Sequence, residues 1–436
     1  MAAEKSSFES AQEHFDKGNF SECLRLLVFA LTASPDDLKC YQLASACLQK
    51  IGAPDESALF ERAISNFEDP DAFYDLGYHF IDVGHDRLAV PLLERALKLR
   101  PGDANIALEL AIAYCGQFYP QKGRAVLSTV GRGQNFWVNY QYYWSSLLCG
   151  VDENTDRFIK ESRRQFLAEA ASNEIRGALY ALDKLDELRL RLSLITEPKP
   201  IVMHWHFIQY GSAILEYFDD RNGQNGLAVA GGRWVYVGIS YAQLALTLRK
   251  LKTFLATLNR MPKTLLTVDD RDSMIIAAAV GKILRAPVEI ISEPNTASRE
   301  ESLLVVANNW NLGKLPIERV AKGQTIFAFN INWLEEGPCA PDVCGLMSQY
   351  CTFPWSKDRL EIDPETKQRR EAVEDKRDPE EIASEIAAEV VAEDELFPQT
   401  MEFYKSVGDY LKGGKLGGQK RWRFITDSPV PGSYFC

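Results

Sequence analysis

The fold of the first third of the chain is indicated most clearly by DAFYDLGYHFIDVGHDRLAVPLLERALKLRP, residues 71–101. Its apolar and small residues recur three or four positions apart, as on one face of a helix. The first set is Phe73, Leu76, Gly77 and Phe80, and the second is Ala89, Leu93 and Ala96. Gly84 lies between the sets and Pro101 follows them, so we expect two helices joined by a turn. Gly77 and Ala89 are small enough to let the two helices approach closely.

The same order of small, aromatic, glycine, bulky and proline residues resembles a tetratricopeptide repeat, whose period is about 34 residues. A copy upstream carries Ala11, His14, Gly18, Phe20, Cys23, Leu27, Ala30 and Pro35. Two weaker copies carry Leu43, Ala44, Cys47, Phe60 and Ala63, and Leu110, Ala111, Tyr114, Gly123 and Leu127. The resemblance covers roughly residues 4–130. It implies a right-handed superhelix whose concave groove binds peptides or partner helices.

The resemblance also implies which residues line the groove, because the first helix of each pair faces it. The predicted partner-binding residues are Phe8, Gln12, Phe15, Tyr41, Asp71, Tyr74, Tyr78, Asp82, Leu108 and Ile112. Members that bind chaperone tails clamp a carboxylate with paired Lys and Asn residues. The matching positions here hold Phe8, Gln12, Gln42, Asp71 and Asp75. We therefore expect an apolar or basic protein segment as the partner rather than a chaperone tail.

The composition bounds the class of protein. The 436 residues favour two or three domains, and 46% hydrophobic content is typical of folded chains. A net charge of −12 argues against nucleic acid as a partner. No apolar run reaches the length of about 18 residues that a membrane helix needs, so we expect a soluble, cytoplasmic protein. The 9 cysteines are scattered, which favours free thiols over disulfides.

The pattern changes along the chain and predicts three parts. Residues 1–195 form the helical repeats with capping helices, which include an aromatic segment at 135–150 and a long helix over 156–195. Two prolines at 196–200 predict a linker. In residues 198–345, apolar runs such as IVMHWHFIQYG, TLLTV and SLLVVAN alternate with helical patterns, which predicts an α/β domain with a mainly parallel sheet. Residues 346–436 form a charged linker, an amphipathic helix and a basic, glycine-rich end.

Ligands of such sheets bind beyond the carboxyl ends of the strands. There the sequence places Asp269, Asp270, Asp272 and Ser273, after the run TLLTV. Three carboxylates can hold a divalent cation, or they can cap the following helix. The region also resembles a phosphoribosyltransferase faintly, over fewer than 50 residues. That family has paired acids and a phosphate-binding loop where this chain has Asn308, Asn309, Trp310 and Asn311, so the resemblance implies the fold and no activity, and no cofactor can be named.

Three other features remain, and two of them allow two interpretations each. His204 and His206 alternate in the predicted strand MHWH and either pack or bind a metal, but no third ligand is identifiable, so we predict no metal. Gly231 and Gly232 predict a hairpin turn between two strands. The helix with Ile382, Ile386 and Val390 either packs on the protein or docks a partner.

The basic residues near the end of the chain are Lys412, Lys415, Lys420, Arg421 and Arg423. They either contact phosphate or an acidic partner, or form a flexible arm that docks on the protein's own acidic linker.

Two functions are compatible with these patterns. The first is an interaction scaffold or adaptor of the tetratricopeptide type, which recruits a protein partner through an aromatic and acidic groove. Under this hypothesis the α/β domain is a binding or regulatory module. The second is a nucleotide- or phosphosugar-dependent transferase or hydrolase whose repeats select a protein substrate. The missing phosphate loop favours the scaffold, and no residue is predicted to be catalytic.

Overall fold

The computed structural model describes residues 6–133, 135–169, 172–218, 231–291, 293–313, 315–363, 365–392 and 394–430. The chain divides into two compact units. The helical unit extends to Leu185 and includes Asp427–Pro429, and the α/β unit comprises Asp186–Thr426 and the residue Val430.

The helical unit consists of consecutive α-helices. They are α1 (Ser7–Asp16), α2 (Phe20–Ala33), α3 (Leu38–Ile51), α4 (Pro54–Ser65), α5 (Pro70–Asp82), α6 (Asp86–Leu99), α7 (Ala104–Gly116), α8 (Pro120–Thr129), α9 (Phe136–Leu148), α10 (Thr155–Ala168) and α11 (Asn173–Leu192). The division between the units falls within α11.

The first eight helices form four hairpins of neighbouring helices, α1 with α2 through α7 with α8. The first helices of the pairs begin at Ser7, Leu38, Pro70 and Ala104, which are 31, 32 and 34 residues apart. The unit is therefore TPR-like, as the sequence predicts. In the third hairpin a Cβ on Gly77 would lie 2.6 Å from Cγ of Leu93, so a larger residue would force the Leu93 side chain to move where α5 meets α6.

Local sequence signals set the limits of these helices. The side chains of Asp37, Asp69 and Asp103 accept hydrogen bonds from backbone N–H groups at the starts of α3, α5 and α7. Gly84 has φ +77°, the left-handed conformation that ends α5 and turns the chain into α6.

The helices after the repeats contain a cluster of aromatic rings. Phe158 stacks on Phe136 and Tyr143, with ring centroids 5.9 and 4.7 Å apart. Trp144 is buried and its Nε1 donates to Oδ2 of Asp427 at 2.8 Å. The predicted single long helix over 156–195 is wrong, because α10 ends at Ala168 and Glu169 takes an extended conformation with ψ 159°.

The α/β unit alternates strands with helices. Its elements are α12 (Val202–Tyr210), β1 (Ala213–Ile214), β2 (Trp234–Gly238), α13 (Tyr241–Thr257), β3 (Thr264–Thr267), α14 (Arg271–Leu284), β4 (Val288–Ile290), β5 (Ser302–Asn308), β6 (Thr325–Ile331), β7 (Val343–Thr352), β8 (Glu361–Ile362), β9 (Arg369–Arg370), α15 (Pro379–Ala388) and α16 (Phe397–Ser406). Short 3-10 helices cover Pro294–Ala297, Asn309–Leu312 and Gly408–Tyr410.

The main sheet has the strand order β1-β7-β6-β5-β3-β4, and β2 pairs with the second half of β7. Each of these pairings is parallel. The strands β5 and β6 are buried along their whole length, which explains their continuous apolar sequences. The predicted fold class, helical repeats followed by a mainly parallel α/β domain, is confirmed.

One predicted strand is a helix. IVMHWHFIQYG forms α12, in which every residue from Val202 to Tyr210 is buried, and it ends at Gly211 in the left-handed conformation. His204 and His206 therefore do not share a strand face. A fully buried segment has apolar residues on all sides, so its sequence has no periodicity to separate helix from strand. The first strand of the hairpin predicted around Gly231 and Gly232 lies outside the described residues.

The sequence also misses a strand, β7, which crosses residue 345, where the α/β domain was predicted to end. The α/β unit is accordingly larger than predicted and extends to Thr426. In α15 the side chains of Ile382 and Ile386 are buried, and α15 packs on α14 and α13, whereas Val390 lies beyond the helix and is 93% exposed. The interpretation of a packed amphipathic helix therefore holds.

The basic C-terminal segment is part of the α/β unit. Lys412 is buried and its Nζ donates to Oε2 of Glu187 at 2.7 Å. Arg421 is buried against Asp342. The expectation of a flexible arm on the acidic linker is wrong for these two residues, because they pair with Glu187 and Asp342, carboxylates outside that linker and far away in the sequence.

Candidate functional site

One face of α5 carries two tyrosines and a carboxylate at helical spacing. Tyr74, Tyr78 and Asp82 lie four residues apart, so they follow one another along the same side of the helix. The rings of Tyr74 and Tyr78 have centroids 6.1 Å apart and planes tilted by 31°. The Tyr78 side chain is 42% exposed and Tyr74 is half-buried. A contiguous strip of ring surface therefore faces solvent.

The neighbouring helix α7 adds Glu109, a residue outside the set predicted from the sequence. The carboxyl group is half-buried, and this desolvation, together with the charge of Asp82, raises its pKa to about 7. The charge of Glu109 in turn contributes to the raised pKa of Tyr74, after burial of that phenol. Glu109 thus lies within electrostatic reach of both Tyr74 and Asp82. We call Tyr74, Tyr78, Asp82 and Glu109 the tyrosine–carboxylate face.

A signal for Glu109 exists in the sequence. It is the one charged residue in the helix ANIALELAIAYCG, Ala104–Gly116. A single charge in an otherwise apolar helix requires either an internal partner or a functional reason.

The carboxylates of this face differ from the other acids on α5. Asp71 receives two hydrogen bonds from Arg100, at 2.7 and 2.9 Å, and Asp75 pairs with Arg62. No hydrogen bond or ion pair to the carboxylate of Asp82 or Glu109 occurs among the residues that the structure describes. The acids that remain available are therefore those beside the tyrosines.

The remaining predicted groove residues are distributed over α1 and α7. Phe8 and Phe15 are half-buried and pack on the hydrophobic core, and Gln12 donates to Asp16 at 3.0 Å. Leu108 and Ile112 on α7 are half-buried. These side chains keep part of their surface exposed.

Tyr41 does not belong to any such surface, which corrects its assignment. Its side chain is fully buried, its Oη donates to the backbone O of Pro35 at 2.8 Å, and its ring meets Phe67 and Phe73 edge to face. The chain between α4 and α5 brings Phe67 over the ring. Tyr41 is therefore a core residue of the repeats.

Three of the four predicted ligand residues of the α/β unit make hydrogen bonds within the fold. Asp270 accepts a hydrogen bond from N of Ser273 at 3.0 Å and caps α14. The buried hydroxyl of Ser273 accepts from N of Ala307 at 3.0 Å, which joins α14 to β5. Asp272 accepts from Nε1 of Trp355 at 2.6 Å, and burial raises its pKa. Asp269 is exposed. In the described part of the chain, no group of three or more His, Cys, Asp or Glu side chains is arranged to hold a metal.

The carboxyl ends of the central strands carry neutral polar groups. Nδ2 of Asn330 donates to Oδ1 of Asn308 at 3.1 Å, and the hydroxyl of Ser348 donates to Oδ1 of Asn330 at 2.7 Å. The three side chains are buried. They form a hydrogen-bonded row across β5, β6 and β7, and Asn308 in this row stands where the phosphoribosyltransferase resemblance would require an acid.

No family profile matches the chain, and no curated protein matches it. Several solved structures match parts of it. A crystal structure of MamA is 14% identical at a TM-score of 0.22, over 42% of this chain and 96% of its own. TTC0263, a thermophilic TPR protein in Thermus thermophilus, is 15% identical at a TM-score of 0.25, over 40% of this chain and 97% of its own.

A purine phosphoribosyltransferase from Pyrococcus horikoshii is 16% identical at a TM-score of 0.23, over 29% of this chain and 99% of its own. Likenesses at such scores carry no argument about function. Among the described residues, no helix combines the length and the apolar character that crossing a bilayer requires.

Proposed function

We propose that this protein is an interaction scaffold or adaptor whose helical unit recruits a protein partner. The α/β unit then serves as a binding or regulatory module. The observation that carries the proposal is the tyrosine–carboxylate face, where exposed ring surface lies beside carboxylates that have no cation partner among the described residues. The buried cysteines are free thiols, which agrees with a reducing compartment, and the proposal places the protein in the cytoplasm.

The chemistry of the face supports recruitment of a protein. Tyrosine supplies a large contact area with few rotatable bonds, so ordering it on binding costs little entropy. Helical repeats extend such contacts along neighbouring helices, and here both α5 and α7 contribute.

Affinity purification of the full chain with its bound partners tests the proposal. We expect Tyr74→Ala combined with Tyr78→Ala to lose a partner that the unchanged protein retains. Tyr180→Ala is the matched control, since its side chain is 41% exposed on α11 and outside the face. Circular dichroism should show unchanged helix content in both variants. Retention of every partner by the double variant would refute the role of this face.

The second candidate, a nucleotide- or phosphosugar-dependent enzyme, has weaker support. Asp270 and Asp272 are engaged by a helix N-terminus and by Trp355, and the central strand ends are occupied by the asparagine and serine row. A thermal shift with magnesium and a nucleotide panel, absent in Asp272→Asn, would favour the enzyme over the scaffold.

A further inference from the structure

We infer that the segment recruited by the tyrosine–carboxylate face is basic, and that a lysine or arginine side chain of the partner lies against Tyr78 with its charge between Asp82 and Glu109. This inference rests on the proposed function and specifies the chemistry of the partner. The charges and the aromatic rings of this face support it, and other classes of occupant fit the face less well.

The charges of the face are uncompensated within the described residues. Asp82 is the last residue of α5, where the partial negative charge of the helix C-terminus disfavours a carboxylate. Glu109 is half-buried and is repelled by Asp82. A cation placed between them relieves both unfavourable interactions at once. The other acids of α5 are already neutralised within the fold, since Asp71 and Asp75 each form an ion pair with an arginine.

The rings of the face are suited to the same cation. Lysine and arginine bind over aromatic faces within about 6 Å of the ring centroid. The helical unit uses this contact internally, because the guanidinium of Arg95 lies 4.0 Å from the centroid of Phe67, and that of Arg87 lies 4.2 Å from Phe29. Within the described residues, no cation lies over Tyr74 or Tyr78.

Other occupants fit less well. An acidic segment would add like charge beside Asp82 and Glu109, and a purely apolar segment would bury both carboxylates without compensation. A divalent cation would require more oxygen ligands than two carboxylates supply. Charge complementarity therefore selects a basic segment.

Fluorescence anisotropy with two labelled probe peptides tests the inference on the full chain. The peptides share their leucine and alanine content, and the charged positions carry lysine in one and glutamate in the other. We expect the lysine peptide alone to bind. Asp82→Asn combined with Glu109→Gln should weaken it by about tenfold or more. Glu153→Gln combined with Glu174→Gln is the matched control, because both glutamates are exposed in the helical unit outside α5 and α7.

Each outcome has a defined meaning. Equal binding of both peptides, unchanged affinity in the Asp82 and Glu109 variant, or an equal loss in the control variant would overturn the inference. The partner captured in the affinity purification distinguishes a failure of the proposed scaffold function from a failure of the basic-segment inference. A partner lost with Tyr74→Ala and Tyr78→Ala but retained with Asp82→Asn and Glu109→Gln leaves the scaffold intact and refutes the basic segment.

Discussion

Arg421 donates two hydrogen bonds to Asp342 within the α/β unit, from Nε to Oδ1 at 2.9 Å and from Nη2 to Oδ2 at 2.7 Å. The two side chains are 0% and 1% exposed. Oδ2 of Asp342 also accepts from N of Ile326 at 2.8 Å, and Nη1 of Arg421 donates to O of Ile317 at 3.1 Å. The pair therefore fixes the C-terminal segment to the beginning of β6.

Arg421→Ala should destabilise the protein by about 3–5 kcal/mol, because it leaves the carboxylate of Asp342 buried and unpaired. Urea unfolding followed by tryptophan fluorescence measures the loss, since Trp422 is buried beside the pair. Arg423→Ala is the control, as its side chain is 67% exposed in an ion pair with Glu336 and should contribute less than about 1 kcal/mol. Equal losses in the two variants would contradict the assigned role of the buried pair.

Gly77→Ala should destabilise the helical unit by about 1–2 kcal/mol. The added Cβ would meet the side chain of Leu93 at 2.6–2.8 Å, and this overpacking exceeds the gain in helix propensity. Gly177→Ala on α11 adds the same methyl group where no atom lies within 4 Å, so it should stabilise by about 0.5–1 kcal/mol. Thermal unfolding followed by circular dichroism compares the two, and shifts of the same sign would refute the close approach of α5 and α6.

Asp270→Ala should cost about 1 kcal/mol through loss of the helix cap, and Asp270→Ser should restore most of it because a hydroxyl also accepts from the backbone. Asp269→Ala should have no effect, since that side chain is exposed. Chemical denaturation with and without magnesium measures all three. A loss in Asp270→Ala that appears only in the presence of magnesium would indicate a cation ligand rather than a cap.

The sequence predicts the parts of this fold that depend on local signals. The spacing from Phe73 to Pro101 indicates the hairpin of α5 and α6, because the helix period, the glycine and the proline all lie within it. It also places Tyr74, Tyr78 and Asp82 on one face. It does not reveal that Arg421 pairs with Asp342, a partner 79 residues away that tertiary packing brings together.

The predictions that were wrong or missing concern residues whose environment depends on tertiary packing. The repeat resemblance places Tyr41 in the groove, but the rings of Phe67 and Phe73 pack against it and bury it. The residues of α12 are buried on every side, which removes the periodicity on which the assignment depends. Glu109 was predictable as an isolated charge, although its closeness to Asp82 depends on the packing of α7 beside α5.

Glu109→Gln should stabilise the protein at about pH 8 and leave its stability unchanged near pH 4. Burial raises the pKa of Glu109 in the folded protein to about 7, above the value of about 4.5 that we take for the unfolded chain. As pH rises between these two values, the unfolded chain loses its proton first. The folded state therefore loses relative stability over this window and gains none of it back above pH 7.

Glutamine removes this penalty, so the gain should be about 1–2 kcal/mol at the higher pH, after allowance for solvent screening of a half-buried group. Urea unfolding at both pH values measures it, with Glu153→Gln as the exposed control. A gain of equal size at both values would contradict the raised pKa. The expected gain also means that a loss of peptide binding in Asp82→Asn with Glu109→Gln cannot be attributed to unfolding. The same carboxylate is thus costly to the free protein and available to a cation from a partner.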